Sequence, residues 1–360
     1  MELAALELMR KIQEIDKQNE YILFAKKGED DQCIQRTSNF DIQTLTSYSY
    51  ADWEQLRLPV AVKYEKVDFL HSTCNSAPVL CPVPLILTLH DIIFLEKVDF
   101  KGTSYQNFGN LYRRFVVPKI VNKSLLIITV SDYEKQVIAE RLKLPNDKIK
   151  VIYNGLHDRF KTTYPPEEIN DFRKRYMLPE NFILFLGNTA PKKNTTTVIR
   201  AYVEYCKRVK DSLPFVILDY EKEFVAHALK QMNALGCLDR IIFPGYIPVE
   251  QMPLAYHAAS LFLYPSLRES FGMPILESMG SGTPVITSNT SSMPEVAGDA
   301  AILVNPYEFK TIADAMELLL SDSTKYQHYV EKGIERAKEF SWETSALELL
   351  KVYKDVGGIS

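Results

Sequence analysis

Two glutamates eight residues apart, Glu269 and Glu277 in the run Arg268-Glu-Ser-Phe-Gly-Met-Pro-Ile-Leu-Glu277, are the side chains that stand out for chemistry. Ionised carboxylates only accept hydrogen bonds, so such a pair could hold hydroxyls at two ends of one polyhydroxylated ligand. The spacing alone means little, because a loop glutamate followed by an exposed helical one gives the same pattern. Its flanks change that. The apolar run Leu261-Phe-Leu-Tyr264 reads as a strand stopped by Pro265, and Pro274 suits the first position of a helix. A strand-loop-helix unit puts its loop at the carboxyl end of a sheet, where open α/β folds bind ligands. Phe271, Gly272 and Met273 then stand at a helix N-terminus, whose N–H groups and positive dipole end suit a diphosphate. Gly272 lets that backbone come close to the ligand, and Arg268 precedes Glu269 in the same loop.

A second strand-to-helix junction, Phe185-Leu-Gly-Asn-Thr-Ala-Pro-Lys-Lys-Asn194, carries Gly187, Asn188, Lys192 and Lys193. Lys193 is placed to neutralise charge on a diphosphate, with Lys192 beside it. Elsewhere, Leu87-Thr-Leu-His-Asp-Ile92 ends a buried strand in His90 and Asp91. There His90 reads either as a ligand contact or as a satisfied structural histidine. His71-Ser-Thr73 and Ser131-Asp132 follow strands too, and Ser131 reads equally well as a helix cap. There is no Asp-x-Asp triplet and no His/Cys cluster at metal spacing, so neither a metal nor any other cofactor is expected. The glycine signatures of dinucleotide folds, P-loops and α/β-hydrolases are missing as well.

These loops need strands to carry them. Short runs of Val, Ile, Leu and Phe alternate with helical patterns, as in parallel βαβ units buried on both faces. Strands are expected at 21–25, 67–71, 85–89 and 125–130, then at 182–186, 215–218, 241–243, 261–264, 285–287 and 301–304. Helices are expected near 105–122, 132–142, 194–210, 222–234, 249–257, 274–280 and 308–320. The fold class is α/β, repeated twice. The expected organisation is an N-terminal domain over 1–160, a second over 161–340 that carries both ligand loops, and a helix over 341–360. That last helix opens on the cap Ser341-Trp-Glu-Thr344 and is expected to cross back to the first domain. A doubly wound domain begins with a strand and its βα loop, whereas this chain begins in an amphipathic helix. The first strand and loop are therefore expected to be missing, either through truncation, the favoured reading, or because the domain is atypical.

At 360 residues and 46% hydrophobic composition, the chain is long enough for two cores. A net charge of -4 lacks the basic field of a nucleic-acid binder. Charge is uneven, however: residues 101–151 hold ten Lys or Arg against four Asp or Glu. Arg113, Arg114, Lys119 and Lys123 within that segment do not share one helix face, and read as a solvated surface or as a contact with an anionic membrane. Five cysteines without a C-x-x-C pair suit a reducing cytoplasmic setting, and no apolar run reaches the ~18 residues of a spanning helix, so membrane contact would be peripheral.

Taken together the motifs resemble the retaining GT-B glycosyltransferases of family 4, the group 1 type, and among them bacterial mannosyltransferases of surface-polysaccharide clusters. The resemblance runs through His71-Ser-Thr73, Thr88-Leu-His-Asp91, Ile128-Thr-Val-Ser-Asp132, Val151-Ile-Tyr-Asn-Gly155, the Lys192-Lys193 loop and Phe243-Pro-Gly-Tyr246. Its most specific blocks are Pro265-Ser-Leu-Arg-Glu-Ser-Phe-Gly272, Gly282-Thr-Pro-Val-Ile-Thr-Ser-Asn289 and Ser292-Met-Pro-Glu-Val-Ala-Gly-Asp299. It implies two Rossmann-like domains facing across a cleft and transfer of a hexose, mannose first, from a GDP- or UDP-sugar. The acceptor would be a saccharide or a lipid-linked saccharide, with peripheral contact at the cytoplasmic face of the inner membrane. By the same resemblance Glu269 and His90 meet the donor sugar, Glu277 the ribose, Lys193 and the Gly272-Met273 backbone the diphosphate, and the Gly245-Tyr246 loop the base. Asn188 stands where many relatives carry an arginine. No side chain need act as nucleophile, so Glu269 fits positioning and charge stabilisation better than the paired carboxylates of a glycosidase. A catalytically silent nucleotide-binding subunit and a sugar-nucleotide epimerase are the alternative readings.

Overall fold

The computed structural model describes residues 2–26, 33–96 and 104–358, with backbone alone at 2 and 104–106. The chain divides into two compact units, residues 1–155 with 341–360, and 156–340. Both are α/β with parallel sheets.

In the first unit, strands β1 (Tyr21–Lys26) and β2 (Phe40–Leu45) pair in parallel. A separate four-stranded sheet follows, ordered β3 (Leu70–Ser72), β4 (Leu85–Thr88), β5 (Leu126–Thr129) and β6 (Ile149–Val151). Side chains alternate across a strand, and β4 shows the result. Leu85, Leu87 and Leu89 pack with Val116, Val117 and Ile120 of the helix Ser104–Ile120, while Ile86 packs on the other face with Ile12 and Leu349. Ile12 belongs to the helix Glu2–Ile15 and Leu349 to the helix Trp342–Gly357, so two helices from opposite ends of the sequence cover one face.

The second unit holds one six-stranded parallel sheet of β7 (Ile183–Leu186), β8 (Phe215–Leu218), β9 (Ile241–Ile242), β10 (Leu261–Tyr264), β11 (Val285–Ser288) and β12 (Ile302–Val304). Its spatial order is β12-β11-β10-β7-β8-β9. Counted from β7 this is the 3-2-1-4-5-6 order of a dinucleotide-binding sheet, and the order reverses between β7 and β10. Ile183, Phe185, Leu261 and Leu263 bury one face against the helices Thr195–Arg208 and Phe309–Ser321. Phe262 and Tyr264 occupy the other face, where the Tyr256 ring meets Phe262 edge-on at 5.1 Å.

Residues 156–160 belong to the second unit rather than the first. Leu156 and Phe160 are buried there, the Leu156 N–H donates to the Phe340 carbonyl at 3.1 Å, and the Ser281 hydroxyl donates to the Phe160 carbonyl at 3.4 Å. Strands β2 and β6 were not expected from sequence. The helix after β10 begins at Met273, leaving Pro274 inside its first turn.

Candidate active site

The loops after β7 and β10 meet at the point where the strand order reverses. The first leaves β7 through Gly187 and makes a 3₁₀ turn at Pro191–Lys193 before the helix Thr195–Arg208. A Cβ on Gly187 would lie 2.5 Å from Cβ of Tyr220 and 2.8 Å from Cγ2 of Ile217, so only glycine lets β7 exit beside β8. Asn188 acts inside this loop, its Oδ1 accepting the Ala190 N–H at 2.8 Å and its carbonyl accepting the Thr195 hydroxyl at 2.7 Å.

The Lys193 ammonium crosses to the other loop. It donates to Oε1 of Glu269 at 2.7 Å and to the Tyr264 hydroxyl at 2.9 Å, and lies 4.9 Å from the centre of the Tyr264 ring. Glu269 is only 8% exposed, so this ion pair is shielded from water on the carboxylate side. The loop is fixed around it. Leu267 donates its N–H to the Lys192 carbonyl at 2.7 Å, and the Asn194 amide donates to the carbonyls of Pro265 (3.0 Å) and Pro306 (2.6 Å). The Ser291 hydroxyl accepts the Glu269 N–H at 3.0 Å and donates to the Glu269 carbonyl at 2.5 Å. The Ser292 hydroxyl reaches the carbonyls of Glu269 and Phe271 at 3.0 and 2.8 Å. Arg268 bends back, its Nη1 donating to the Glu269 carbonyl at 2.9 Å.

Gly272 adopts φ = 107°, a left-handed conformation that a Cβ would strain, and its carbonyl takes the Ile275 N–H at 3.0 Å. Pro274 has no N–H and the Ile275 N–H is taken by Gly272, so the remaining backbone donors at this helix start are those of Gly272 and Met273. One turn on, Glu277 is partly buried, with the Tyr256 hydroxyl donating to its Oε2 at 3.0 Å. Burial pushes its carboxyl up to about 6, against the opposing pull of Tyr256 and the nearby charge of Arg159. The two loops and the helix start carry an ammonium, two backbone donors and two carboxylates in different surroundings. Such groups can take an anion and hydroxyls.

The family profile described as "Glycosyl transferases group 1" matches residues 167–336, and "Glycosyltransferase Family 4" matches residues 4–160. The chain is 30% identical over 270 residues to the O-antigen chain mannosyltransferase B of Escherichia coli, covering 75% of this chain and 70% of that protein. It belongs to the family 4 glycosyltransferases. A serotype-specific mannosyltransferase, WbdA of Escherichia coli, is 28% identical over 271 residues, 74% of this chain and 32% of that protein. Among solved structures, Anabaena Alr3699/HepE in complex with UDP and glucose superposes with a TM-score of 0.72 at 18% identity, covering 98% of this chain and 95% of that one, a likeness of fold alone.

Within this glycosyltransferase, the remaining candidate residues divide. Phe271 is 3% exposed and meets the Phe340 ring edge-on at 5.8 Å, so its side chain serves the core and only its backbone stays near the site. Tyr246, by contrast, is 70% exposed beside Gly245, which holds φ = 79°. In the N-terminal unit His90 is buried at the end of β4. Its N–H donates to Oδ1 of Asn75 at 2.6 Å, its Nε2 lies 3.0 Å from the Thr73 carbonyl, and burial pushes its pKa down to about 4. At neutral pH it is therefore an uncharged imidazole with Nε2 protonated. His71 is a structural residue: Nδ1 is 2.6 Å from the Tyr353 hydroxyl and Nε2 2.7 Å from Thr88 Oγ1. Ser131 caps the helix Asp132–Leu142, its hydroxyl accepting the Glu134 N–H at 3.1 Å.

Three of the basic side chains on and just after Ser104–Ile120 have partners, and Lys119 is exposed. The Arg113 guanidinium lies 5.6 Å from the Phe94 ring centre, Lys119 lies 3.3 Å above the Phe115 ring, and Lys123 donates to the Val79 carbonyl at 3.0 Å. Among the described residues no group of three or more His, Cys, Asp or Glu side chains converges as a metal site, and no helix is long and apolar enough to cross a membrane. Tyr264, Tyr256, Ser291 and Ser292, which touch Lys193, Glu277 and Glu269, are not singled out by the sequence.

Proposed function

We propose that this glycosyltransferase moves a hexose, mannose first, from a GDP- or UDP-sugar to a saccharide or lipid-linked saccharide acceptor in surface-polysaccharide synthesis, with retention at the anomeric carbon. The observation that carries the reading is the Lys193–Glu269 pair at the reversal point of the sheet, one short loop before the Gly272–Met273 helix start. Lys193, with Lys192 beside it, and the two backbone N–H groups take the diphosphate. Glu269 holds hydroxyls of the sugar, Glu277 holds the ribose, and the Gly245–Tyr246 loop meets the base.

Glu269 already shares its carboxylate with an ammonium, which suits positioning and charge stabilisation and weakens it as a nucleophile. The acceptor proton passes instead to the leaving phosphate. His90, uncharged at neutral pH, contributes as a hydrogen-bonding group to the sugar or acceptor and not as a general acid. Mannosyltransferase relatives at 28–30% identity point the donor choice towards mannose.

A thermal-shift screen of GDP, UDP and their sugars tests the donor: the true one raises stability by about 2.7 kcal/mol at a hundredfold excess over its Kd. Glu269→Gln is expected to abolish transfer with the unfolding transition nearly unchanged. Full activity in that variant would sink the assigned role.

A peripheral membrane contact is part of the proposal, on one observation. Phe108, Leu111 and Phe115 are 62–65% exposed at i, i+3 and i+7 of one helix, so they form an apolar stripe, with the Lys119 ammonium beside it. Sedimentation with anionic phospholipid vesicles should carry the protein down, and serine at all three positions should leave it in the supernatant. Equal sedimentation of both proteins would remove the stripe from the reading.

A further inference from the structure

The donor-site reading uses Lys193 and Glu269 but leaves one group that touches them without a task. Tyr264 closes β10 with 3% of its surface exposed, and its ring stacks on Phe262 at 5.8 Å with an interplanar angle of 24°. Its carbonyl accepts the Thr287 hydroxyl at 2.8 Å and the Ser266 N–H at 2.9 Å, so backbone and ring are both held in place. The hydroxyl accepts from the Lys193 ammonium at 2.9 Å, while the ring face stands 4.9 Å from the same nitrogen. Burial, with the Glu269 carboxylate beside it, holds the phenol well above its ordinary pKa, so it stays protonated.

We propose that Tyr264 is a positioning residue of the donor site, which fixes the Lys193 ammonium at the diphosphate by a neutral hydroxyl and a ring face. The inference rests on the donor-site reading of Lys193. A lysine side chain has four rotatable bonds and must be anchored to meet a phosphate at a defined point. Glu269 anchors it in the unliganded protein but is a poor partner once the donor arrives. Its oxygens are then needed by sugar hydroxyls, and its negative charge both repels the diphosphate and cancels the lysine's charge. The Tyr264 hydroxyl has neither fault. It accepts one of the three ammonium protons, carries no net charge, and leaves the other two N–H groups for phosphate oxygens. The electron-rich ring face adds attraction without competing for an N–H.

A double-mutant cycle separates this role from a purely structural one. Tyr264→Phe keeps the ring, the stack on Phe262 and the cation–π contact, and removes only the hydroxyl. Binding of GDP and UDP is measured calorimetrically in wild type, Tyr264→Phe, Lys193→Ala and the double variant. Tyr264→Phe is expected to weaken the nucleotide that binds by about tenfold, the effect of one charge-assisted hydrogen bond, and to have no further effect once Lys193 is alanine. Tyr256→Phe serves as the control: its hydroxyl acts on Glu277, so its effect should persist in the Lys193→Ala background. An equal loss from Tyr264→Phe in both backgrounds, or no loss in the wild-type background, overturns the proposal. If Lys193→Ala itself binds nucleotide as tightly as wild type, the donor-site reading of Lys193 is what fails.

Discussion

Glu277 and Glu269 are the same side chain, both assigned here to the donor, yet their surroundings give them different electrostatics. Glu269 faces an ammonium, whereas Glu277 faces a buried phenol and is pushed up to about 6 from an ordinary 4.5. A carboxyl raised in the folded state favours folding most when protonated. Its contribution is complete below about pH 4.5 and is lost as pH rises through about 6, a change of about 2 kcal/mol. In the role proposed for Glu277 donor binding runs in the opposite sense, because the ionised carboxylate is the stronger acceptor for ribose hydroxyls. Nucleotide affinity should therefore rise as pH increases from about 5 to about 7 and then level off. Calorimetry on wild type and Glu277→Gln checks this, since the variant keeps the titration of the ligand's own phosphate and lacks only that of the carboxyl. A wild-type slope no steeper than the variant's would remove Glu277 from the binding equilibrium. At this scale the Lys193–Glu269 pair was legible from sequence because both charges stand in loops that follow expected strands and lead into helices. Tyr264 and Tyr256 were not. A tyrosine inside an apolar run reads as core, and only the placed hydroxyl shows that it serves a charged neighbour.

Between residue and molecule, the site depends on how closely its strands and loops approach one another. Gly187 shows the tolerance: its N–H donates to the Leu218 carbonyl at 2.9 Å, and a Cβ there would sit 2.9 Å from that same oxygen as well as against Tyr220 and Ile217. Gly187→Ala must push β7 from β8 or twist the loop that carries Lys193. A destabilisation of about 1–3 kcal/mol is expected, read as a lower Tm, together with weaker nucleotide binding. An alanine variant with unchanged Tm and affinity would mean that the loop yields freely. Ser292 works at the same scale from a third loop. It is fully buried, and Ser292→Ala leaves the Glu269 and Phe271 carbonyls one donor short, so a cost of about 1–3 kcal/mol is expected in urea unfolding, with reduced transfer. The long elements were legible from apolar runs and helical periodicity. Strand β2 was missed although Phe40-Asp-Ile-Gln-Thr-Leu45 alternates, because Phe40 alone of its six residues is buried and it lies in a two-stranded sheet with β1. The three residues of β6 are too few for any period to register. The stapling of Glu269 by Ser291 and Ser292 was invisible for another reason: those contacts span more than twenty residues and arise only when β10 and β11 lie side by side.

At the scale of the molecule, composition and length pointed to two cores, but nothing in composition tells which segments share one. The N-terminal unit is discontinuous. Trp342, Ala346, Leu349, Val352, Tyr353 and Val356 of the last helix are all buried, most of them in one cluster with Met9, Ile12, Phe40, Ile86, Ile128 and Ile152. Tyr353 also closes the hydrogen bond on His71, whose pKa burial holds at about 3, and the Ser345 hydroxyl donates to the Tyr153 carbonyl at 2.6 Å. Burying one large apolar side chain contributes about 1.5–3 kcal/mol, and a whole domain is stable by only about 5–15 kcal/mol. Losing this helix therefore removes as much as the N-terminal unit has to spare, and exposes Ile86 and Ile128 on one face of its sheet. A chain ending at Phe340 should keep a cooperative unfolding transition for residues 156–340 and lose the one belonging to the N-terminal unit, a difference that calorimetry would resolve. It should still bind the nucleotide, because every residue of the proposed Lys193–Glu269–Glu277 clamp lies in the retained unit, while sugar transfer should vanish. Two intact transitions in the shortened chain would show that the first 155 residues fold without the last helix, and the contribution assigned here to its buried face would have to be abandoned.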